Sequence, residues 1–499
     1  MPMNLNIKVT FLGLLGLGLC LWQFQAPKVQ KNLLIQNATI IDGSGADRFI
    51  GSVRITDGEI SEIGELAVSD NDSIIDATGL ILSPGFIDSH SHHDGDRSRE
   101  SEAAISQGIT TIIVGQDGFS SKSIKSYFDS LALAPWSVNI GSFVGHNTLR
   151  SEVMGTDFKR EATVDEINAM KERVATAMQN GALGLATGLE YDPGIYSNTH
   201  ELIELAEVAA QYGGTYISHM RSEDLHLKES IREILKIGEE AHIPVQISHF
   251  KLGRKGLWGQ AANILQTLDS ARVKGILATA DVYPYEYWQS TMTVLFPKRD
   301  FDNRASAEFA ITELTTPEGM IISRFDARPE YEGMTLDQIA SLRQEDAVTT
   351  YIALIKMSQA RPGESIIAKS MDLEDIKTLL NWPHTNLCSD GSATGHPRGW
   401  GAFPRYLSMD TGQSLEAKIQ KMTAQAAKNL GLEGIGLVKQ GFSADLVLFD
   451  PYTVADKATY EKNDARAVGI EKVIVSGKLV YDQGRPTRIY PGRAIKKTK

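Results

Sequence analysis

A short apolar segment ends in two histidines that are one residue apart: Pro84-Gly85-Phe86-Ile87-Asp88-Ser89-His90-Ser91-His92. Its composition predicts a strand, and side chains two residues apart on a strand point to the same face. His90 and His92 are therefore expected to project into one cavity, where two imidazoles can bind one metal ion. Because the chain contains 11 histidines, this pair alone is weak support for a metal site.

The chain of 499 residues has an ordinary globular composition, with 42% hydrophobic and 22% charged residues. It is long enough for one large barrel with attachments, or for two to three ordinary domains. The net charge of -12 is spread without acidic or basic blocks, which argues against nucleic acid as a partner. Its two cysteines, Cys20 and Cys388, cannot form a disulfide framework.

The N-terminal segment carries Lys8 and then a nearly unbroken apolar run over residues 9–22. The length of this run is typical of a signal-peptide core and is short for a membrane-spanning helix. We therefore predict that residues 1–27 are a signal peptide or a membrane anchor. The protein is expected to be exported, either periplasmic or held at the membrane by this segment. Phe24 stands where a cleavage site has a small residue, so cleavage is left open.

Short alternating runs separated by glycine and aspartate turns predict β-structure near both ends of the chain. The N-terminal runs cover residues 33–41, 52–56, 60–63 and 73–75. The C-terminal runs cover residues 444–450 and 472–481. We infer one composite β-domain, a small β-sandwich, formed by residues 28–83 together with residues 432–495.

Between the two ends, apolar strand-like runs alternate with helical patterns, which indicates βα units around a parallel sheet. The runs cover residues 85–89, 110–115, 137–144, 182–187, 215–218, 244–248, 275–282 and 385–388. Eight runs are the number that a TIM barrel needs, so residues 84–431 are predicted to be an α/β TIM-barrel catalytic domain. The gap of about 100 residues before the last run is too long for one crossover. We predict an insertion over the barrel mouth at about residues 290–375.

Active sites of TIM-barrel enzymes lie at the carboxyl ends of the strands. Every predicted strand is followed by a side chain that can bind a metal ion or transfer a proton. In chain order, these are His90 and His92, Asp117, His146, Glu190, His219, His249, Asp281 and Asp390.

A lone histidine at a strand end is more often a cap or a core residue than a ligand. We interpret His146 and Asp281 in this structural way. The joint occurrence of the others predicts a metal site that contains His90, His92, His219, His249 and Asp390. Imidazole and carboxylate suit a zinc-like ion, and an open coordination position lowers the pKa of bound water towards neutrality. Asp390 is expected to orient the nucleophile, accept its proton and pass it to the leaving nitrogen.

Further motifs extend this pattern from about residue 31 to residue 495. They are Gly145-His146-Asn147-Thr148-Leu149-Arg150, Gly188-Leu189-Glu190-Tyr191-Asp192-Pro193-Gly194, Ser218-His219-Met220-Arg221, Ile247-Ser248-His249-Phe250-Lys251, Asp281-Val282-Tyr283-Pro284-Tyr285, Ser389-Asp390-Gly391, His396-Pro397-Arg398-Gly399-Trp400-Gly401 and Ala444-Asp445-Leu446-Val447-Leu448-Phe449. Together with the first strand, they resemble the D-aminoacylase (N-acyl-D-amino-acid deacylase) family of the metal-dependent amidohydrolase superfamily.

The resemblance implies a hydrolase that requires one or two zinc ions. It would cleave the amide bond of N-acyl-D-amino acids and release a carboxylic acid and a D-amino acid. His219 and His249 match the tight zinc ligands of the family. His90 and His92 match its second metal position, and Asp390 matches its acid/base.

The resemblance also implies a substrate-binding role for Lys251 and Tyr283, which match positions that grip the substrate carboxylate. Arg398 is open between a bidentate contact to that carboxylate and a structural salt bridge. The chain departs from the family at Asp117, where these deacylases commonly have cysteine. A carboxylate can bridge two ions, so Asp117 would replace the thiolate with a harder ligand. Glu190 is the rival bridge, because other amidohydrolases take a carboxylate or a carboxylated lysine from that strand, and we favour Asp117.

Two alternatives accompany this interpretation. The first is a related amidohydrolase that acts on a dipeptide or a cyclic amide; Lys251 and Tyr283 favour the N-acyl-D-amino acid. The second is a non-catalytic binding or scaffold protein on the same fold, which should have lost its metal ligands. The predicted partner is a small-molecule substrate, with membrane contact only through the N-terminal segment, and the oligomeric state stays open.

Overall fold

The computed structural model describes residues 32–96, 98–296 and 298–497, and the predicted leader, residues 1–27, lies outside the described residues. In chain order the strands are β1 (Asn32–Ile40), β2 (Phe49–Thr56), β3 (Glu59–Gly64), β4 (Asp72–Asp76), β5 (Ile81–Pro84), β6 (Phe86–Asp88), β7 (Ile109–Val114), β8 (Asn139–Ser142), β9 (Val144–Gly145), β10 (Gly184–Gly188), β11 (Thr215–His219), β12 (Val245–Ile247), β13 (Ala278–Val282), β14 (Tyr287–Ser290), β15 (Met320–Phe325), β16 (Glu364–Lys369), β17 (Thr385–Leu387), β18 (Leu446–Phe449), β19 (Ile470–Val475), β20 (Lys478–Asp482), β21 (Arg485–Pro486) and β22 (Ala494–Ile495).

The α-helices connect and cover these strands. They are α1 (Glu102–Ile105), α2 (Ile124–Leu133), α3 (His146–Met154), α4 (Val164–Gln179), α5 (Thr199–Gln211), α6 (Leu227–Glu240), α7 (Ala261–Val273), α8 (Arg304–Phe309), α9 (Leu336–Arg343), α10 (Ala347–Ala360), α11 (Leu373–Asn381), α12 (Arg398–Ser408), α13 (Leu415–Met422) and α14 (Ala424–Leu430). In the described ranges, no helix is both long and apolar enough to cross a membrane.

Strands from both ends of the chain form one continuous sheet, in the order β21-β20-β19-β18-β5-β1-β2-β3, with β4 paired to β1. β5 is the junction, because it runs parallel to β1 and antiparallel to β18. One face of the sheet encloses an apolar core that includes Ile35, Val53, Leu82, Leu446 and Ile474. The strands predicted near the two ends therefore belong to a single hydrogen-bonded sheet.

The central part of the chain is a parallel β/α barrel. Its strands lie in two hydrogen-bonded arcs, β6-β7-β8 and β9-β10-β11-β12-β13-β17. The third predicted strand is divided at Phe143 into β8, which pairs with β7, and β9, which pairs with β10. The first and last strands meet where the Asp390 amide donates to the His90 carbonyl, at 2.9 Å. The final strand, β22, pairs with β8, so the end of the chain returns to the barrel.

The barrel helices follow from local sequence signals. α4 begins with the capping box of Thr163 and Glu166, which satisfies two amide groups at the helix start. Its buried positions include Ile167, Met170 and Val174, which recur at helical spacing and pack into the main core. Such one-sided helices cover the outside of the sheet and leave the strand ends free to carry functional side chains.

The segment between β13 and β17 forms a small unit of its own. An antiparallel sheet in the order β14-β16-β15 packs with α8, α9 and α10 around an apolar core that includes Phe296, Met320, Phe325, Tyr351 and Ile366. A π-helical turn, Ala310–Leu314, follows α8. The sequence predicts none of the three strands of this sheet.

Candidate metal centre and active site

The carboxyl ends of the barrel strands open into a cavity of about 230 Å³ beneath the inserted unit. Its lining includes His92, Asp117, His219, His249 and Asp390. The side chain of His92 is 38% exposed, while the other three predicted histidine ligands are buried. The barrel therefore gathers the predicted ligands from distant parts of the chain into one place.

The Asp117 carboxylate lies between the two histidine pairs. Its Oδ1 is 3.5 Å from His90 Nε2 and 3.4 Å from His249 Nε2. Its Oδ2 is 3.3 Å from His92 Nε2, and His219 Nδ1 is 4.0 Å from Oδ1. The Asp117 carboxylate thus lies against both histidine pairs, where a ligand shared between two ions would lie.

Unpartnered buried atoms at this point fit a bound cation. Both ring nitrogens of His90 and the Oδ1 atom of Asp117 are buried without a hydrogen-bond partner among the described residues. Buried polar atoms are almost always partnered. Ligand atoms of His90, Asp117, His249 and Asp390 lie within 4.8 Å of one another, and imidazole with carboxylate is a donor set that suits zinc.

The carboxylates of Glu190 and Glu223 contact the ring nitrogens of His219 and His249 that point away from Asp117. His219 turns Nδ1 towards His249 Nε2, at 2.9 Å, and turns Nε2 towards Glu190, at 3.1 Å. His249 turns its Nδ1 towards Glu223, at 3.0 Å. Carboxylates in such positions fix the orientation of a metal-binding imidazole. In this geometry Glu190 supports His219 from outside the centre, whereas Asp117 lies within it.

The Asp390 carboxylate connects the histidines to a buried arginine. Its Oδ1 lies 3.3 Å from His92 Nε2, and its Oδ2 lies 2.7 Å from Arg398 Nη1. The Arg398 guanidinium stacks over the Tyr283 ring at 4.6 Å. Arg398 Nε and the Tyr283 hydroxyl are buried without hydrogen-bond partners among the described residues. Both roles considered for Arg398 are therefore compatible, because it forms an ion pair and keeps donors free for a ligand.

Lys251 is buried in the same wall of the cavity and is already paired. Its Nζ lies 2.6 Å from Glu223 Oε2 and 2.7 Å from His249 Nδ1. The positive charge of Lys251 is therefore balanced by Glu223.

Three residues of the centre have left-handed backbone conformations. The φ angles are 53° at Asp117, 34° at His249 and 47° at Asp390. This region costs a non-glycine residue about 1–3 kcal/mol. The turn at Asp117 is packed so closely that a Cβ on Gly188 would lie 2.1 Å from the Asp117 carbonyl oxygen. Strand ends with this geometry aim the side chains into the cavity.

The carboxylates in and around the centre differ in their pKa values. Burial opposes the ionisation of Asp117, but His90 and His249 outweigh it and hold the pKa well below the ordinary value. Burial likewise opposes the ionisation of Asp390, and Arg398 with the histidines keeps its pKa below the ordinary range. The pKa of Glu190 is raised, because burial outweighs its contact with His219. Asp117 and Asp390 are thus ionised at neutral pH.

The two strand-end residues that we predict to be structural differ in their distance from the centre. His146 is buried, and its Nε2 lies 2.7 Å from Glu201. Asp281 accepts hydrogen bonds from the His249 amide, at 2.6 Å, and from Gln246, at 2.7 Å. Asp281 fixes the backbone of His249, and its Oδ1 also lies 3.8 Å from His90 Nδ1.

Sequence reasoning missed Glu223 and assigned no role to Tyr191. Glu223 lies four residues after His219 and contacts both His249 and Lys251. Tyr191 directly follows Glu190, and its ring lies 4.5 Å from the His219 ring. The sequence signal that could have identified Glu223 is an acidic residue four positions after a histidine at a strand end. Tyr191 belongs to the motif of residues 188–194, but nothing in the sequence distinguishes it from a packing residue.

The chain is similar to one family of proteins in its sequence and in its fold. The sequence model of the amidohydrolase family matches residues 73–274 and 309–481. A D-aminoacylase from Alcaligenes xylosoxydans xylosoxydans is 33% identical over 94% of this chain and 98% of its own.

Two solved structures share the fold at similar identity. A D-aminoacylase with a binuclear metal centre superposes with a TM-score of 0.82 at 32% identity, over 93% of this chain and 99% of its own. An N-acyl-D-glutamate deacylase from Bordetella bronchiseptica, complexed with zinc and a phosphonate mimic of the tetrahedral intermediate, gives 0.84 at 31% identity. That alignment covers 94% of this chain and 100% of the deacylase.

Proposed function

The chain belongs to the D-aminoacylases of the amidohydrolase family, and on this premise we propose that it hydrolyses the amide bond of N-acyl-D-amino acids. The products are a carboxylic acid and a D-amino acid. The observation that carries the proposal is the convergence of four histidines on the Asp117 carboxylate, directly beside Asp390. A fold that served only as a scaffold would have no reason to keep these buried polar groups.

The metal cofactor that this donor set fits is zinc. The residues that would hold it are His90, His92, Asp117, His219 and His249. Bound zinc supplies Lewis acidity and a nucleophile at neutral pH. If two ions are bound, Asp117 rather than Glu190 would be the ligand that they share. Asp117 Oδ1 faces one histidine of each pair, whereas Glu190 contacts His219 from outside the centre.

Asp390 is the proposed acid/base. Its Oδ1 faces the histidines while Arg398 holds its Oδ2, so one oxygen is free to act on the reacting atoms. Being ionised, Asp390 can accept a proton from the attacking water at Oδ1. It then returns that proton to the amide nitrogen as the carbon–nitrogen bond breaks. Arg398 keeps the carboxylate in place between these two transfers.

Two free donors are available for the substrate carboxylate, from Arg398 in the cavity lining and from Tyr283, which packs against Arg398. Arg398 Nε and the Tyr283 hydroxyl are buried and unpartnered within the described chain, and a carboxylate oxygen satisfies each of them. Lys251 adds a nearby positive charge, although Glu223 already neutralises it. We propose that Arg398 and Tyr283 make the main hydrogen bonds to the substrate carboxylate. Lys251 contributes to the positive electrostatic potential around it.

The test combines metal analysis with a hydrolysis assay on N-acetylated D- and L-amino acids. We expect bound zinc and release of the D-amino acid only. Bound metal without such release would move the substrate to a dipeptide or a cyclic amide. Neither metal nor hydrolysis after zinc is added would favour a non-catalytic protein.

We further propose that the protein is exported, either to the periplasm or to the membrane surface. The support is Lys8 followed by the apolar run of residues 9–22. Cell fractionation, with the intact mass of the recovered protein, tests this proposal. A cytoplasmic protein with its full N-terminus would contradict it.

A further inference from the structure

We propose that Thr148 is a positioning residue, which holds the loop of Asp117 in the conformation that metal binding requires. The inference rests on the proposed function, because the metal centre belongs to that function. The two residues come from neighbouring parts of the barrel, since Asp117 follows β7 and Thr148 lies in the first turn of α3, directly after β9. Thr148 would therefore act on the metal centre through the backbone of this loop.

Asp117 occupies a strained turn at the end of β7. The Phe119 amide donates to the Gln116 carbonyl at 2.9 Å and closes the turn. The φ angles of its two central residues are 53° at Asp117 and 80° at Gly118. Positive φ at both central positions is the pattern of a type I′ turn. Because this conformation is strained at a residue with a Cβ, contacts from the surrounding structure are needed to maintain it.

Thr148 supplies such contacts. Its backbone amide donates to the Gly118 carbonyl at 3.1 Å. Its hydroxyl accepts from the Ser120 amide at 3.0 Å and donates to the Ser120 carbonyl at 3.2 Å. One side chain therefore pairs with both backbone groups of Ser120. The Ser120 hydroxyl adds a further link between the two segments, because it accepts from the Gly145 amide at 2.9 Å.

Asn147, the residue before Thr148, packs against the same turn. Its side chain is fully buried, and its Nδ2 donates to the Gly188 carbonyl at 3.1 Å. A Cβ on Gly118 would lie 2.6 Å from Asn147 Oδ1, and a Cβ on Gly194 would lie 2.4 Å from the same atom. The start of α3 thus encloses the turn closely, and the turn is held by packing as well as by hydrogen bonds.

Helix α3 is itself anchored by buried charges. Its first residue, His146, contacts Glu201 of α5 through Nε2 at 2.7 Å. Arg150 contacts the same carboxylate at 2.5 Å. All three side chains are buried, so the ion network has little freedom to rearrange. A fixed helix therefore supports Thr148, and Thr148 in turn supports the loop.

Loss of the Thr148 hydroxyl should loosen this loop without removing a metal ligand. Partners that orient a metal ligand typically contribute 10- to 100-fold to metal affinity or activity. We expect roughly 10-fold weaker zinc binding and a roughly 10-fold lower kcat. KM should hardly change, because Arg398 and Tyr283, which we assign to the substrate carboxylate, are not altered.

A matched pair of variants at Thr148 tests this expectation. Thr148→Val removes both hydrogen bonds to Ser120 with little change in shape, whereas Thr148→Ser keeps the hydroxyl. Competition with a chelator measures the zinc affinity of each variant, and assays with N-acetyl-D-leucine give kcat and KM. We expect Thr148→Val to lose zinc affinity and kcat, and Thr148→Ser to stay close to the wild type.

Thr163→Val is the control for a purely structural effect. The Thr163 hydroxyl also accepts from a backbone amide, that of Glu166, but it caps helix α4. This variant should lower the melting temperature of the zinc-free protein and leave its zinc affinity unchanged. If Thr148→Val does not fold, Ser120→Ala replaces it. Ser120→Ala removes the acceptor of the Gly145 amide and should weaken zinc binding in the same direction.

Three results would overturn the inference. They are wild-type zinc affinity in the Thr148→Val or Ser120→Ala protein, an equal loss of zinc affinity in Thr163→Val, and a Thr148→Ser variant as weak as Thr148→Val. The proposed function can fail separately. Wild-type protein that binds zinc but hydrolyses no N-acyl-D-amino acid would contradict the deacylase activity, while the zinc affinities of the variants still decide the role of Thr148. Wild-type protein that binds no zinc would overturn both proposals.

Discussion

The two walls of the catalytic cavity differ in chemistry: the barrel wall is charged and strained, and the wall of the inserted unit is largely apolar. The barrel wall concentrates charged groups, unpartnered buried atoms and left-handed backbone turns at Asp117, His249 and Asp390. The wall of the inserted unit presents side chains such as Val294 and Leu314 and rests on its own apolar core. The barrel wall therefore holds reactive groups in place at a cost in local stability. The wall of the inserted unit has no such groups and is supported by apolar packing.

This difference separates the reaction from the choice of substrate. Changes to the barrel wall should alter turnover or metal content, because its groups contact metal and reacting atoms. Changes to the inserted wall should alter the ranking of substrates, because its groups contact only the side chain or acyl group. The predictions below test that separation, in order of decreasing expected effect on turnover.

The largest effect is expected from Asp390→Asn. The amide has the shape of the carboxylate but cannot accept and return the proton, so kcat should fall roughly 1,000-fold. Stopped assays at saturating substrate measure this loss, and metal analysis should find the zinc content unchanged. Wild-type turnover in this variant would contradict the acid/base role.

Two single substitutions test whether Asp117 or Glu190 is the ligand shared between two metal ions. Asp117→Asn tolerates the left-handed backbone, because asparagine adopts that region readily, but it removes the charge shared between the histidine pairs. We expect it to lose bound zinc in dialysis against a weak chelator. Glu190→Gln should keep its zinc with an affinity lowered by roughly 10-fold. The reverse order of zinc retention would make Glu190 the bridge.

On the inserted wall, Val294→Ala should have a smaller and selective effect. Removing two methyl groups takes away apolar contact, so kcat/KM for N-acetyl-D-leucine should fall roughly 10-fold. The value for N-acetyl-D-alanine, which has little side chain to contact the wall, should hardly change. An equal loss for both substrates would place Val294 with the reaction rather than with substrate choice.

The smallest effect on turnover is expected at Glu364, which stabilises the inserted unit by accepting from the Met292 amide at 2.8 Å. Burial raises the pKa of Glu364 to about 7 from 4.5, so the folded protein binds its proton more tightly than the unfolded chain. This contribution to stability is fully present below pH 4.5 and is lost as the pH rises to 7. The loss is about 2 kcal/mol after allowance for partial exposure.

Thermal melts between pH 4.5 and 8 measure this dependence. Glu364→Gln keeps a hydrogen-bond acceptor but does not titrate, so the variant should show a flatter pH profile than the wild type. Identical profiles would mean that Glu364 is exposed to solvent in solution.

The sequence predicts the barrel better than the inserted unit, for a physical reason. Barrel strands are buried on both faces, so the runs around Ile112 and Ile217 are apolar whatever their neighbours are. The strands β14, β15 and β16 are half-exposed, and they are held as strands by pairing with one another. Their apolar and polar residues do not alternate clearly enough to predict a strand from the sequence. The division of the third strand at Phe143 depends on which neighbour each half pairs with, and the composition of the run does not show it.

The site shows the same limit. Residues at strand ends could be found because barrel geometry determines where strand ends meet. Glu223 and the pairing of Lys251 could not, since they depend on how the loop after β11 folds back. The apolar lining from Val294 and Leu314 was equally hidden, because it depends on how the inserted unit sits over the barrel.

The sheet built from both ends of the chain imposes an order in time. During synthesis β5 is made about 360 residues before β18, its neighbour in the sheet. Until then, the N-terminal half-sheet has an open edge at β5, where another chain could pair. A product terminated before residue 446 would carry every residue of the active site and still expose that edge. The edge at β5 can therefore be covered only after β18 has been made, so the N-terminal half-sheet is completed late in synthesis.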